Sequence, residues 1–298
     1  MRKLETLQGS WKGIGSSMSL EVERRNNTWF LLLSGIRYAG KGQTESQDVQ
    51  IMAYLWMGLD AGLSVLVSGD SASRIRTMIN TLASMLHPRR KLFIIEKYIE
   101  NIHLENKFSS MIGLYGPRYG IAAKDLISEA DARNPDWMIL DEINGVEAVR
   151  LFSMASTGVP FIAGINAGGE PAELIKRLRE KRIGVKTDSL CYLDLSVRVG
   201  TSGLIEDIFD YNWLSRAEIY EGIGIGEDEV LARKMLDNGV LNAYRLSDSK
   251  IIRCFGRAKG YNIDKCIIEL QRRIKFLSEP TPGREMRCFH YAETAERL

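Results

Sequence analysis

The chain has 298 residues, 45% of them hydrophobic, and a formal net charge of +2. That is enough for one large domain, or a domain with a smaller appendage, around a real core, and the near-neutral charge argues against a nucleic-acid partner. Three widely separated histidines (His87, His103, His290) offer no metal-ligand spacing, and four cysteines without a C-x-x-C pair (Cys191, Cys254, Cys266, Cys288) read as reduced thiols rather than a disulfide framework.

In chain order, residues 1–45 begin with a Gly/Ser-rich lead-in, GSWKGIGSSMS, expected to be flexible. Two short strand-like runs follow, SLEVERR and TWFLLLSGI. After the turn-rich YAGKGQTESQD, Ser46 is a candidate helix cap, and Val49, Met52, Leu55, Trp56 and Leu59 recur at helical spacing. Strands and helices then alternate. LSVLVS (63–68) predicts a buried strand, and SRIRTMINTLASML a helix with Ile75, Met78, Ile79, Leu82 and Leu86 inward. KLFIIE (91–96) is the next strand, and an irregular stretch runs through LYGPRYG to the helix AAKDLISEADA. DWMILDE (136–142), GVEAVRLFSMAST, PFIAGI (160–165) and PAELIKRLREKR continue as strand, helix, strand, helix. Such apolar strands between helices predict a mostly parallel sheet covered on both faces.

CYLDLSVRV and RAEIYEGI are expected to pair antiparallel around an insertion at 200–213. GIGIG (222–226) reads as a linker after the last strand, since it matches no dinucleotide fingerprint. Residues 227–238 and 248–278 carry helical periodicity, with Asp248 and Asn262 as candidate N-caps. Ile263, Cys266, Ile267, Leu270, Ile274 and Leu277 form one apolar face, and a polar tail follows Pro280. The basic run KRLREKR (176–182) alternates with Leu174, Ile175, Leu178 and Ile183, as a solvated helix face does. No apolar run approaches the roughly 20 residues that span a bilayer, and the start of the chain carries no secretory leader pattern. The protein is therefore expected in the cytoplasm.

The stretch VLVSGDSASRIRTMINTL has the outline of a phosphate-binding loop, G-x-x-x-x-G-K-[ST]. Gly69 matches the first glycine. Arg74 stands at the second, Ile75 at the lysine and Arg76 at the magnesium-binding hydroxyl. By itself this is one glycine and a strand–turn–helix outline, which any α/β crossover supplies.

The downstream order is more specific. AYLWMGLDAGLSVLVSG, LASMLHPRRKLFIIE, ISEADARNPDWMILDEINGVEAVRLFSMASTG, RAEIYEGIG and SKIIRCFGRAKGYNIDKCIIELQRRIKFLSE follow one another over about residues 46–279. Together they resemble the type II/IV secretion-system ATPase superfamily, above all its archaeal pilus and archaellum assembly branch. The resemblance implies an α/β fold of the RecA-like P-loop NTPase type over 46–226, with a mostly parallel sheet flanked by helices. A small helical C-terminal appendage is implied over 227–279 and a polar tail over 280–298. Residues 1–45 would then be a remnant of the family's N-terminal domain, too short to close the nucleotide site. Members of this family couple ATP hydrolysis, in hexameric rings, to pilus assembly, filament rotation, secretion or DNA transfer.

Matched position by position, the family's active site is depleted. The degenerate loop comprises Gly69, Ser71, Ser73, Arg74, Ile75, Arg76 and Thr77, with Asp70 adding a carboxylate where phosphate would sit. Glu96 matches the acidic box, but Lys97 replaces its neighbouring acid; Glu100 is a further match. Glu142, preceded by Asp141, matches the Walker B glutamate, whereas Asn144 replaces the arginine beyond it. The two histidines of the His box are Val159 and Asn166. At an effective dielectric near 20, two unit charges about 4 Å apart interact by roughly 4 kcal/mol. Losing the lysine therefore removes on the order of a thousandfold in transition-state stabilisation.

The reading expected from this is a pseudoenzyme, with a structural or regulatory role in a pilus-like or secretion machine. It would dock on an active ATPase paralogue or a membrane platform protein, within a homo- or hetero-hexamer, peripherally at the inner face of the membrane. Two alternatives stay open. One is an active ATPase using Arg74 or Arg76 for the phosphates and Glu142 for catalysis, with ATP and Mg2+ as cofactors and Asp141 as a metal ligand. The other is a nucleotide- or anion-binding module without turnover. Against both arginine readings stands solvation, with pairing to nearby carboxylates; for Asp141 and Glu142 the plainer role is to accept hydrogen bonds from neighbouring loops.

Overall fold

The computed structural model describes residues 6–10, 19–25, 28–32, 44–87, 89–96, 111–114, 120–168, 170–211, 232–237 and 240–278. Three strands, β1 (Thr6–Ser10), β2 (Ser19–Arg25) and β3 (Thr28–Leu32), form an antiparallel meander with Leu7 opposite Val22 and Val22 opposite Leu31. β1 runs into the Gly/Ser-rich lead-in read from sequence as flexible, because ladder pairing with β2 fixes its backbone.

The remaining strands build one sheet, entered through helix α1 (Thr44–Asp60). Next come β4 (Val65–Gly69), α2 (Ala72–Ser84), β5 (Leu92–Glu96), β6 (Met111–Leu114) and α3 (Ala123–Asp131). β7 (Trp137–Ile143), α4 (Glu147–Ser156), β8 (Phe161–Asn166) and α5 (Pro171–Arg179) follow. A 3-10 turn (Thr187–Tyr192) leads to β9 (Leu195–Val199), β10 (Ile205–Tyr211) and β11 (Ala232–Lys234). The eight-stranded order is β11-β10-β9-β4-β8-β7-β5-β6. The run from β9 to β6 is parallel, and β10 and β11 add antiparallel at one edge. A second hairpin joins β12 (Leu236–Asp237) to β13 (Val240–Leu241). Three helices complete the described residues: the single turn α6 (Ala243–Leu246), α7 (Lys250–Lys259) and α8 (Ile263–Ser278).

Successive strand residues point to opposite faces, and the core divides accordingly. Val65, Val67, Ile94, Ile139, Ile162, Val197 and Ile208 face α1, α2, α7 and α8. Leu66, Phe93, Ile95, Met138, Leu140, Phe161, Ala163 and Phe209 face α3, α4 and α5. Both faces are covered, which is why these strands read as continuous apolar runs. The expected α/β class, a mostly parallel sheet flanked by helices, is the architecture observed.

α1 is buried on nearly every side: Ile51, Ala53, Tyr54, Leu55, Trp56, Met57 and Leu59 are all in the core. α7 and α8 cover its outer face and share its hydrophobic cluster. At Gly58 an added Cβ would lie 3.0 Å from Ile251 Cδ1, so α7 crosses where α1 has no side chain. Arg273 of α8 is buried, 2.7 Å from Asp60 of α1 and 3.0 Å from Glu269, with its guanidinium 4.4 Å from the Trp56 ring centroid.

Several elements differ from the sequence reading. β6 lies inside the stretch read as irregular, and helix α1 starts at Thr44, before Ser46. The antiparallel partner of β9 is β10, which occupies the supposed insertion at 200–213. The segment IEDIFDY carries three acids, and two of them, Asp207 and Asp210, are buried where hydrogen-bond donors reach them. Arg198 and Lys234 pair with Asp207, and the backbone N–H of Lys250 donates to Asp210. Of the helix expected at 227–238, the described part is strand, β11 and β12, with Lys234 opposite Phe209. These strands also follow GIGIG, which is thus not placed after the last one. Ser249, not Asp248, caps α7, its hydroxyl accepting from Ile252 N–H; Asn262 caps α8 as expected, accepting from Lys265 N–H. In the apolar face expected on α8, Cys266 and Leu270 are buried, whereas Ile263 is exposed. GIGIG, RAEIYEGI, Lys97 and Glu100 lie outside the described residues.

Candidate functional site

Gly69, Glu96, the Asp141–Glu142 pair and Asn166 close β4, β5, β7 and β8 at the same end of the parallel sheet. In open α/β sheets this C-terminal edge is where ligands bind. The fold therefore brings together the residues that the sequence placed far apart, with Gly69 directly opposite Asn166 in the ladder.

The strand–turn–helix at the centre of this edge is short. β4 ends at Gly69 and α2 begins at Ala72, leaving Asp70 and Ser71 as the whole connection. A Cβ on Gly69 would lie 2.6 Å from the carbonyl oxygen of Val199, so the glycine admits the close approach of β9. Ser71 is the N-cap of α2 without a side-chain cap bond. Thr77 turns its hydroxyl back to the Ser73 carbonyl, 3.0 Å away.

Ile75 sits one turn into α2 and is only 3% exposed. Its N–H donates to the Ser71 carbonyl at 3.0 Å, continuing the helix, and its side chain points at the sheet. A Cβ on Gly164 of β8 would stand 2.6 Å from Ile75 Cγ2 and 2.5 Å from the Asp141 carbonyl oxygen. The missing side chain of Gly164 is thus the notch that receives Ile75. Helical periodicity had put Ile75 on the inward face, and the structure agrees. Arg74 is exposed and Arg76 half-buried, with Arg76 Nε enclosed and lacking a hydrogen-bond partner. Neither arginine forms an ion pair among the described residues, contrary to the expectation that both pair with nearby carboxylates.

The acids are held differently. Leu140 pairs with Ala163 but Ile143 with Ile165, so β7 bulges at Asp141–Glu142. Bulges re-aim side chains at strand ends. Asp141 is buried, and Glu142 is half-buried. Glu96 is buried at the end of β5. None of the three is free: each takes part in a polar or electrostatic interaction. Glu147 was missed in the sequence. Its Oε1 accepts from the N–H groups of Asn144 and Gly145, each at 2.7 Å, and fixes the turn after the bulge. An acid two residues beyond a strand-ending Asn-Gly was the available signal. Val159 lies half-buried before β8 and Asn166 is exposed at its end. Among the described residues no group of three or more His, Cys, Asp or Glu side chains is arranged to hold a metal ion.

No family model matches the chain. Two uncharacterized proteins of Methanocaldococcus jannaschii are similar to it in sequence. MJ1287 is 30% identical over 139 residues, 46% of this chain and 51% of that protein. MJ0900 is 28% identical over 140 residues, 46% of this chain and 25% of that protein. The chain thus matches about half the length of the first relative and a quarter of the second. Among solved structures, the VirB11 ATPase of the Brucella suis type IV secretion system is similar with a TM-score of 0.48 and 16% identity, over 69% of this chain and 76% of that one. The Legionella pneumophila ATPase DotB gives 0.47 and 16%, over 76% and 67%. The pilus retraction motor PilT with bound ADP gives 0.40 and 13%, over 98% and 80%.

Proposed function

We propose that this chain is a homologue of the type II/IV secretion ATPases, related to the archaeal pilus branch, that has kept the α/β scaffold and lost ATP turnover. The observation that carries the reading is Ile75. It occupies the position of the phosphate-binding lysine and is packed into the Gly164 notch instead of facing the sheet edge. With only Asp70 and Ser71 between strand and helix, the loop has no run of backbone amides to cradle a triphosphate. The residues present do not fit a magnesium–triphosphate, and no catalytic step is derived through one.

Its role is then structural or regulatory. The chain would dock on an active ATPase paralogue or a membrane platform protein of a pilus-like or secretion machine, as one member of a homo- or hetero-hexameric ring. Among the described residues both faces of the sheet carry a continuous apolar core, as expected of a fold maintained for interaction. A second reading, nucleotide or anion binding without turnover, draws on Arg74, exposed and without an ion pair among the described residues, in the first turn of α2, where backbone amides already favour anions. Titration of the purified chain with ATP and magnesium by calorimetry separates the two. The pseudoenzyme reading expects no heat of binding at submillimolar ATP. Saturable binding that is lost in Arg74→Ala selects the binding module.

A further inference from the structure

We propose that the outer face of α4 and the turn following α5 form a docking surface for an anionic lipid bilayer. Val146, Val149 and Arg150, at the helical spacing i, i+3, i+4, are all exposed, while Ala148, Leu151 and Phe152 of the same segment are buried. Val146 is 53% and Val149 39% exposed, which is high for valine. The turn after α5 packs beside this face: Val149 Cγ2 is 4.0 Å from the Cβ position of Gly184. Lys181, Arg182 and Lys186 flank that glycine and are exposed, as are Lys176 and Arg179 on the outer face of α5.

None of these six cations forms a salt bridge among the described residues. Elsewhere many cations are matched: Arg133 with Glu129, Lys250 with Asp194, Arg273 with Asp60. Within the patch, Arg177 alone is paired, with Glu180. Helix dipoles explain only part of the run. Lys176 and Arg179 suit the C-terminal turn of α5, but Arg150 lies in the first turn of α4, where a cation is disfavoured, and Lys181, Arg182 and Lys186 lie beyond α5.

The composition selects the partner. Protein interfaces are rich in aromatic residues and poor in lysine, and single-stranded nucleic acid is gripped by aromatic stacking. Beyond the Arg177–Glu180 pair, this patch has three lysines, three arginines, two small aliphatic side chains and no aromatic ring. Cations around a shallow apolar centre suit anionic headgroups over an acyl boundary. No helix of the described residues is long and apolar enough to cross a membrane, and the attachment proposed here is peripheral. It does not depend on whether the chain binds nucleotide.

The test is co-sedimentation of the full chain with vesicles of phosphatidylglycerol or of phosphatidylcholine. A cation near an anionic surface contributes about fivefold in partition, so the exposed triple variant Lys181→Gln, Arg182→Gln, Lys186→Gln is expected to bind phosphatidylglycerol about a hundredfold more weakly, with an unchanged thermal melt. Raising salt from about 50 to about 500 mM should release the wild type, and Val149→Asn should weaken binding without altering that salt dependence. Equal sedimentation with both lipids, or a triple variant that binds like wild type, would overturn the proposal. So would retention on immobilised polyglutamate without vesicle binding, which would reassign the surface to an acidic protein.

Discussion

Placing a lysine at position 75, where the phosphate-loop pattern calls for one, should destabilise the fold rather than create a phosphate site. Ile75 is 3% exposed, and its Cγ2 sits where Gly164 leaves room. A lysine there keeps the methylene stem but brings an ammonium into an apolar notch. Fully buried lysines have pKa values near 5–6 instead of about 10.4. At pH 7.5 such a side chain folds neutral but unfolds charged. About 3 pH units at 1.36 kcal/mol each give a penalty of about 4 kcal/mol. In a chain of this size that lowers the Tm by roughly 6–8 °C. Because the folded pKa is depressed, the unfolded state binds more protons between the two values. Stability therefore rises with pH, and the penalty shrinks to about 1 kcal/mol near pH 9.5. The assay is thermal or urea unfolding of Ile75→Lys at both pH values, beside Ile75→Met, which preserves volume and is expected to cost less than about 1.5 kcal/mol. The triple change Arg74→Gly, Ile75→Lys, Arg76→Thr should likewise be destabilised and gain no ATP binding. A variant as stable as Ile75→Met at pH 7.5 that binds ATP would refute the reasoning, because position 75 would then reach the sheet edge.

Three other outcomes follow from the packing. Arg273→Met leaves Asp60 and the buried Glu269 without their cation and should cost about 3–5 kcal/mol in urea unfolding, whereas a small loss would mean that the α1–α8 contact rests on apolar packing. Gly164→Ala places a methyl within 2.5 Å of the Asp141 carbonyl and 2.6 Å of Ile75, and is expected to destabilise by about 1–3 kcal/mol; Ile75→Val in the same chain should recover part of the loss. Burial raises the Asp210 carboxyl above its ordinary value, so its contribution is favourable at low pH and is lost as pH rises through the folded value. Asp210→Asn should consequently be more stable than wild type at pH 7, with the advantage gone below about pH 4; an advantage confined to acid would reverse the sign of this account.

The layered core was legible because doubly covered strands leave an unmistakable run such as Val65–Leu66–Val67, and α2 announced its inward face through Ile75, Met78, Ile79 and Leu82. β10 was hidden because Asp207 and Asp210 look like surface residues until Arg198, Lys234 and the α7 N-terminus are known to reach them. Such pairings are long-range and leave no periodic trace. Arg273 was missed for the same reason: in sequence it is one more charge on α8, and only Trp56, Phe255 and Asp60 show that it is buried. At the sheet edge, the sequence shows how Arg74, Ile75 and Arg76 depart from the phosphate-loop pattern. The two-residue connection and the Gly164 notch were not, since both depend on where β8 and β9 lie beside β4.

The most direct test of lost turnover is phosphate release by the purified chain in saturating ATP and magnesium, measured beside Glu142→Gln. The account predicts the same background rate for both proteins. Steady release by the wild type that disappears in Glu142→Gln would contradict it.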